Sequence, residues 1–206
     1  MKKINSKRRF LYLISPNKID KNFYKNLKEV LSLNNTAFFQ LRIKNQSKKK
    51  KIVIGKKIQK ICSFFKVKFI VNDDPLLAKK INADGCHLGQ KDMTIIKARK
   101  IIGKKIIGIT CHNSIKLAKI AIINKADYLA FGAFFPSKTK RTKYKAKVKI
   151  LDKVKKLTKI PIVAIGGINN ENYKKLLLNK TNFLAISSYI WKNKKLKPFE
   201  ATKKLK

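Results

Sequence analysis

Residues 68–88 read KFIVNDDPLLAKKINADGCHL. Phe69, Ile70 and Val71 form a short run of β-branched and aromatic side chains, the composition of a buried strand. Asn72-Asp73-Asp74 interrupts it. Pro75 then suits a first helical turn, where its missing N–H costs nothing. Leu76, Leu77, Ala78 and Ile81 carry a helical spacing, and a second short apolar run follows at 85–88. Parallel strands need a crossover of about a dozen residues, and a helix of this length supplies it.

Outward from this unit the same alternation recurs along the chain. Strands are expected at 10–15, 37–43, 68–72, 85–88, 106–110, 128–133, 162–165 and 183–187. Helices are expected at 21–33, 48–65, 75–81, 94–102, 114–124, 147–157 and 170–178, with a last one beginning near Pro198. Ser114 can cap one of these helices. Asn170 can cap another, ahead of Glu171 and the apolar positions Tyr173, Leu176 and Leu177. The strands are apolar on both faces, as strands covered by helices on one side and a packed interior on the other must be. Eight strand–helix units predict an α/β fold, a (β/α)8 TIM barrel formed as a single domain over residues 1–206. A doubly wound open sheet is the alternative. No GxGxxG follows the first strand, which argues against the dinucleotide-binding form of that alternative.

The 206 residues carry 52 Lys+Arg against 10 Asp+Glu, a formal charge of +42. Such a charge suggests a polyanion partner. Its makeup points elsewhere: only Arg8, Arg9, Arg42, Arg99 and Arg141 are arginines, and the lysines are spread over the whole length. Arg is the better fork for phosphates and base edges. The charge therefore reads as a solvated background, and no specific nucleic-acid partner is expected. Cys62, Cys86 and Cys111 are widely spaced without a CxxC, as expected of reduced thiols in a cytoplasmic protein. The apolar run 10–14 is too short for a signal-peptide core. No stretch approaches the ~20 apolar residues of a membrane span, so no membrane partner is expected.

In a βα barrel, functional groups sit just after the strands. Gln40, Arg42 and Lys44 fall on one face of an extended chain. Two cations pointing inward are costly without an anionic ligand; otherwise they are a solvated strand edge. Asp73, Asp74, Asp84 and Asp92, four of the ten acids, lie within twenty residues. Adjacent strands would bring Asp73 and Asp92 together. Two carboxylates suit Mg²⁺, a hard ion often bound with substrate phosphates; the alternative is helix capping before Pro75 and Thr94. His87 and His112, the only two histidines, both fall at strand ends, as bases, ligand donors or satisfied core groups. The loop 132–142 is rich in hydroxyls and cations. Gly166-Gly167 and Ser187-Ser188 follow the last two strands, the usual barrel phosphate site, where glycines let backbone N–H groups approach oxygens.

Taken in order, QLRIK at 40–44, VND at 71–73, ADGCHLGQKD at 83–92, FFPSKTK at 134–140, VAIGGI at 163–168 and AISS at 185–188 resemble the thiamine phosphate synthases. The resemblance spans roughly residues 10–191, and ADGCHLGQKD is its most specific piece. It implies a (β/α)8 barrel and a Mg²⁺-requiring pyrophosphate displacement. Hydroxymethylpyrimidine diphosphate and a thiazole phosphate carboxylate would give thiamine phosphate, pyrophosphate and CO₂. Carried over by resemblance, Asp73 and Asp92 are the metal ligands, and Arg42, Lys44, Asn72 and Lys140 hold the pyrophosphate. Arg42, Lys44 and Lys140 are its catalytic cations. Gln40 and His87 face the pyrimidine, and Thr110 lies near the diphosphate. Ser137, Thr139, Gly167, Ile186 and Ser187 contact the thiazole phosphate. The chain departs from the family at Asp74, usually Arg; at 132–137, where Gly-Ala-Phe-Phe-Pro-Ser replaces Gly-Pro-Ile-Phe-Pro-Thr; and at Asn182, usually Gly.

Two rivals remain at this stage. A thiazole tautomerase on the same barrel would use a histidine near position 112 and no metal. A non-catalytic, polyanion-binding barrel is suggested by charge alone. Retention of Asp73, Asp92 and the Gln90–Asp92 run favours the metal-dependent synthase. Its expected partners are the two small substrates, with homo-oligomerisation left open.

Overall fold

In the computed structural model, which describes residues 9–136, 144–179 and 181–206, eight parallel strands close into a barrel in chain order. They are β1 (Leu11–Ile14), β2 (Thr36–Leu41), β3 (Lys68–Asn72), β4 (Gly85–Leu88), β5 (Ile106–His112), β6 (Tyr128–Gly132), β7 (Ile162–Ile165) and β8 (Phe183–Ile186), with β8 pairing back to β1. The crossovers are α1 (Phe23–Ser32), α2 (Lys48–Phe64), α3 (Pro75–Lys80), α4 (Ile95–Ile102), α5 (Ile115–Ile123), α6 (Lys149–Leu157) and α7 (Tyr173–Leu178). Two further helices, α8 (Ser188–Trp191) and α9 (Pro198–Lys203), follow β8. This is the (β/α)8 barrel; the open-sheet alternative is excluded by closure.

The period-two alternation of each strand divides the apolar residues into two cores. Outward-facing residues such as Leu11, Leu13, Phe39, Leu41, Phe69, Val71, Leu129 and Phe131 pack with the buried stripes of the helices. Inward-facing Tyr12, Ile14, Ile70, Tyr128, Ala130, Val163 and Ala185 fill the barrel, with Phe38, Ile106, Ile165 and Phe183 packed against them. Phe38 stacks on Tyr12 at 5.3 Å and meets Phe183 edge-on at 5.0 Å, closing the barrel floor with rings. The interior is thus a packed core with a polar layer above it.

Four helix starts follow from side-chain oxygens. Ser47, Asp74, Thr94 and Ser114 each accept the N–H of the third residue on. Asp74 caps α3 through Leu77 N–H at 2.8 Å. Asp74→Ala should therefore cost about 1 kcal/mol of stability, read as a lower denaturant midpoint at unchanged slope.

Several sequence expectations need correction. Strand β2 ends at Leu41, not at 43, so Arg42 and Lys44 lie beyond the strand. Asn170 does not cap α7: the turn is made by Asn169, whose Oδ1 accepts from Glu171 N and Asn172 N, while Asn172 precedes the helix. Strand β5 runs past 110 to His112, because the register shifts at Thr110/His112 and the strand regains pairing with Phe131. The short α8 was not expected, since four residues carry no period. The three cysteines are buried and none is in a disulfide. Among the described residues no helix is long and apolar enough to cross a membrane.

Candidate active site

The carboxyl ends of the eight parallel strands form one rim, and the polar layer lies just beneath it. A row of hydrogen bonds crosses the barrel there. Gln40 Nε2 donates to the Tyr12 hydroxyl at 2.9 Å. The Tyr12 and Tyr128 hydroxyls are 2.7 Å apart. Tyr128 meets His87 Nδ1 at 2.9 Å, and His87 Nε2 meets Thr110 Oγ at 2.9 Å. Five strands, β2, β1, β6, β4 and β5, each give one member. Burial holds both phenols far above their ordinary range, so they stay protonated. Burial also pushes His87 down to about 4, with Arg42 acting in the same direction and Asp92 opposing. His87 is therefore a neutral imidazole at physiological pH, a fixed hydrogen-bonding group rather than a cation.

Asp73 and Asp92 face each other at the rim. Strand pairing places Asn72 beside His87, and Asp73 N–H donates to the His87 carbonyl at 2.8 Å. The chain turns there with Asp73 at φ +64, a conformation that Asp and Asn adopt more readily than most residues. Asp92 is brought back by a tight turn in which its Oδ2 accepts Gly89 N–H at 2.7 Å. A Cβ on Gly89 would lie 2.9 Å from that oxygen, so the glycine makes room for the return. The Asp73 carboxyl is pushed up to about 6, by partial burial first and then by the adjacent Asp92, against the opposing pull of Arg42 and Lys44. Arg42 and Lys44 lie just beyond β2, on backbone fixed by Arg42 N–H to Ser15 Oγ at 2.9 Å and Lys44 N–H to Asn17 Oδ1 at 2.6 Å. Neither cation is engaged in either of the two ion pairs among the described residues.

The cluster of four acids read from spacing separates in space. Asp74 is a helix cap. Asp84 sits at the opposite rim, where it binds Lys68 Nζ at 3.0 Å and Phe69 N–H at 2.9 Å. Only Asp73 and Asp92 remain as a facing pair.

Across the rim, Gly166 and Gly167 have φ +104 and +63. A Cβ on Gly167 would lie 2.2 Å from the Pro136 carbonyl oxygen, and one on Gly166 would lie 2.3 Å from Ala133 Cβ. These glycines let the turn after β7 lie against the turn after β6, where Phe135 N–H donates to Gly166 O at 3.1 Å. Ser187 Oγ donates to the Ser15 carbonyl at 3.4 Å. The Ile186 side chain packs outward at 2 % exposure, so only its backbone can meet a ligand. Ser137, Thr139 and Lys140 lie outside the described residues. His112 stands apart from the polar row: it ends β5 at φ +53 and stacks on Tyr144 at 4.1 Å, lining a recess with Gln90, Asn113 and Ser114.

Residues 11–190 match the family model described as thiamine monophosphate synthase. The chain belongs to this family. It is 67 % identical over 205 residues to the thiamine-phosphate synthase of Pelagibacter ubique (strain HTCC1062), covering 99 % of this chain and 98 % of that one. It is 39 % identical over 186 residues to the thiamine-phosphate synthase of Erythrobacter litoralis (strain HTCC2594), covering 88 % and 87 %. The thiamine phosphate pyrophosphorylase from Pyrococcus furiosus superposes with a TM-score of 0.85 at 30 % identity, covering 97 % and 95 %. As a member of the thiamine monophosphate synthase family the chain is an enzyme, a transferase of thiamine biosynthesis.

Four parts of this synthase-family site escaped the sequence reading. Tyr12 and Tyr128 join Gln40 to His87, and Gly108 leaves the space that the Tyr128 ring fills. Ser15 ties three strand ends together, its N–H donating to Gln40 O at 2.9 Å while its hydroxyl and carbonyl serve Arg42 and Ser187. The available signal was polar atoms inside apolar strands: inward alternation places both tyrosines in the barrel, where a hydroxyl needs a partner.

Proposed function

We propose that the enzyme joins hydroxymethylpyrimidine diphosphate to a thiazole phosphate carboxylate, giving thiamine phosphate, pyrophosphate and CO₂, with Mg²⁺ required. The observation that carries this reading is the Asp73–Asp92 pair beside Arg42 and Lys44. Two facing carboxylates repel each other unless a cation shares them. Arg42 and Lys44 beside them, which pull on Asp73 but belong to neither of the ion pairs Lys68–Asp84 and Arg99–Asp127, can also hold an anion. The donors fit Mg²⁺: both are hard oxygens, and two carboxylates leave the remaining coordination positions to water and substrate phosphates. Asp73 and Asp92 would hold the ion, whose chemistry is to neutralise charge developing on the departing diphosphate.

The chain's own groups do the rest. Arg42, Lys44 and Asn72, with Lys140 from the 132–142 loop, hold the diphosphate. Gln40 orients the pyrimidine, neutral His87 lines the pyrimidine side with both ring nitrogens engaged by Tyr128 and Thr110, and Thr110 meets the diphosphate from β5. The C–O bond to the diphosphate breaks with its electron pair on the leaving group, and the thiazole nitrogen lone pair closes the new C–N bond. The ring carboxylate leaves as CO₂, while the C–C electron pair stays on the ring carbon and takes up a proton from solvent. No base is needed to create that nucleophile, so orientation and charge neutralisation supply the rate. Gly167, Ser187, Ser137, Thr139 and the Ile186 backbone would bind the thiazole phosphate. The substrates are soluble metabolites, which fits a cytoplasmic enzyme.

Incubation with both substrates and Mg²⁺ should yield thiamine phosphate and stoichiometric pyrophosphate, separated by chromatography. Folded protein that forms neither would overturn the synthase reading. Interconversion of thiazole phosphate tautomers without metal would support the tautomerase instead.

A further inference from the structure

The row that crosses the barrel has a direction, and the direction follows from its first member. An amide nitrogen carries hydrogens and no lone pair, so Gln40 Nε2 must donate to Tyr12. Were Tyr12 to accept from both neighbours, its hydrogen would be left buried without a partner at 1 % exposure, so it donates to Tyr128, 2.7 Å away. Tyr128, having accepted, donates onward to His87 Nδ1 at 2.9 Å. A neutral imidazole bears a single N–H, which is then on Nε2 and donates to Thr110 Oγ. Thr110 accepts from inside the barrel, so its own hydrogen points to the rim. Gln40 spends an N–H inside, so its Oε1 is the acceptor left for the rim. Among the described residues every member of the row is satisfied, the one buried side-chain polar atom without a partner being the Tyr189 hydroxyl.

We infer that Tyr12 and Tyr128 are positioning residues that fix the polarity of both rim ends at once, an acceptor at Gln40 for an N–H of the aminopyrimidine and a donor at Thr110 for the diphosphate. The inference rests on the synthase reading for the identity of the ligand, but not for the polarity. Reversal of the row would give the opposite pair: Gln40 would present only donors, and Thr110 would spend its hydrogen on His87 and offer lone pairs to an anion. One molecule carrying a ring amine and a diphosphate demands the same direction at both ends. The row lets a single buried arrangement answer both demands, and Tyr12 and Tyr128, at 1 % and 2 % exposure, do so without touching the ligand.

The two tyrosines should differ when changed. In Tyr128→Phe, His87 Nδ1 loses its donor. The imidazole can then carry its proton on Nδ1 and accept from Thr110, turning the rim hydrogen inward. In Tyr12→Phe, Tyr128 still donates to His87, so the Thr110 end survives while Gln40 loses its acceptor. Calorimetry with inorganic pyrophosphate and Mg²⁺ should show binding weakened about tenfold in Tyr128→Phe, the worth of one hydrogen bond to a charged group, and within about twofold of wild type in Tyr12→Phe. Both should lower kcat/KM for the pyrimidine diphosphate and leave KM for the thiazole phosphate unchanged. Nitrogen-15 NMR should find the His87 proton on Nε2 in wild type and in Tyr12→Phe. Equal loss of pyrophosphate affinity in the two variants, or a wild-type proton on Nδ1, overturns the inference. If wild type makes no thiamine phosphate the functional reading fails, while the tautomer and the pyrophosphate affinities still decide the polarity.

Discussion

Asp92→Asn should lower thiamine phosphate formation about 100-fold or more at saturating Mg²⁺, because several kcal/mol of charge stabilisation goes with one ligand and each 1.36 kcal/mol is tenfold in rate. The fold should survive. The structural task of Asp92 is to accept Gly89 N–H at 2.7 Å, and an asparagine Oδ1 accepts equally well. Asp73→Asn should be equally inactive and, in buffer with a chelator, somewhat more stable than wild type. It removes one of two facing carboxylates and keeps a residue type suited to φ +64. The pair is open to water on the rim, so screening limits the gain to about 1 kcal/mol or less. Steady-state rates over a Mg²⁺ titration and melts without metal measure the two effects. Wild-type turnover in Asp92→Asn sinks the metal assignment; a lower melting point in Asp73→Asn sinks the account of the pair as mutually repulsive. A gain in stability bought at the expense of turnover is the usual mark of a functional charge cluster.

The parts of this protein that were legible in its sequence are those fixed by local pattern. Strands β3, β4 and β7 have the expected limits to the residue, because turn-forming or polar residues stand at both ends of each apolar run. Strand β5 was misjudged by two residues because its last pairing, His112 with Phe131, depends on a neighbour and a register shift. The acids show the same limit. Asp84 and Asp92 flank one strand, but Asp84 precedes β4 and Asp92 follows it. In a barrel that difference separates the structural rim from the functional one. Spacing counted them together; strand direction parts them. Tyr12 and Tyr128 are 116 positions apart, and neither lies in a loop, so a search along strand ends passes over both. Their roles come from β1 and β6 facing each other across the interior, a relation that no local pattern encodes.

Gly108→Ala should strongly destabilise the barrel. Gly108 lies in the middle of β5, paired with His87 on one side and Tyr128 on the other. A Cβ built there would stand 1.8 Å from Tyr128 Cζ and 2.2 and 2.3 Å from its Cε atoms. The ring cannot retreat, because it stacks on His87 at 5.6 Å and meets Tyr12 edge-on at 5.7 Å. Relief must come from strand β5 or from the tyrosine, and moving the tyrosine breaks its bonds to Tyr12 and His87 together. Overpacking costs 1–3 kcal/mol and each buried polar group left unpaired a similar amount, so the loss should be about 3 kcal/mol or more. Equilibrium denaturation measures it. Adding Tyr128→Leu should restore much of that stability, because the leucine vacates the space, while kcat/KM for the pyrimidine diphosphate stays low, because the row remains broken. A Gly108→Ala protein as stable as wild type would show that the interior has slack that this packing does not contain. Recovery of activity together with stability in the double variant would show that filling the barrel, rather than the hydroxyl of Tyr128, is what the site requires.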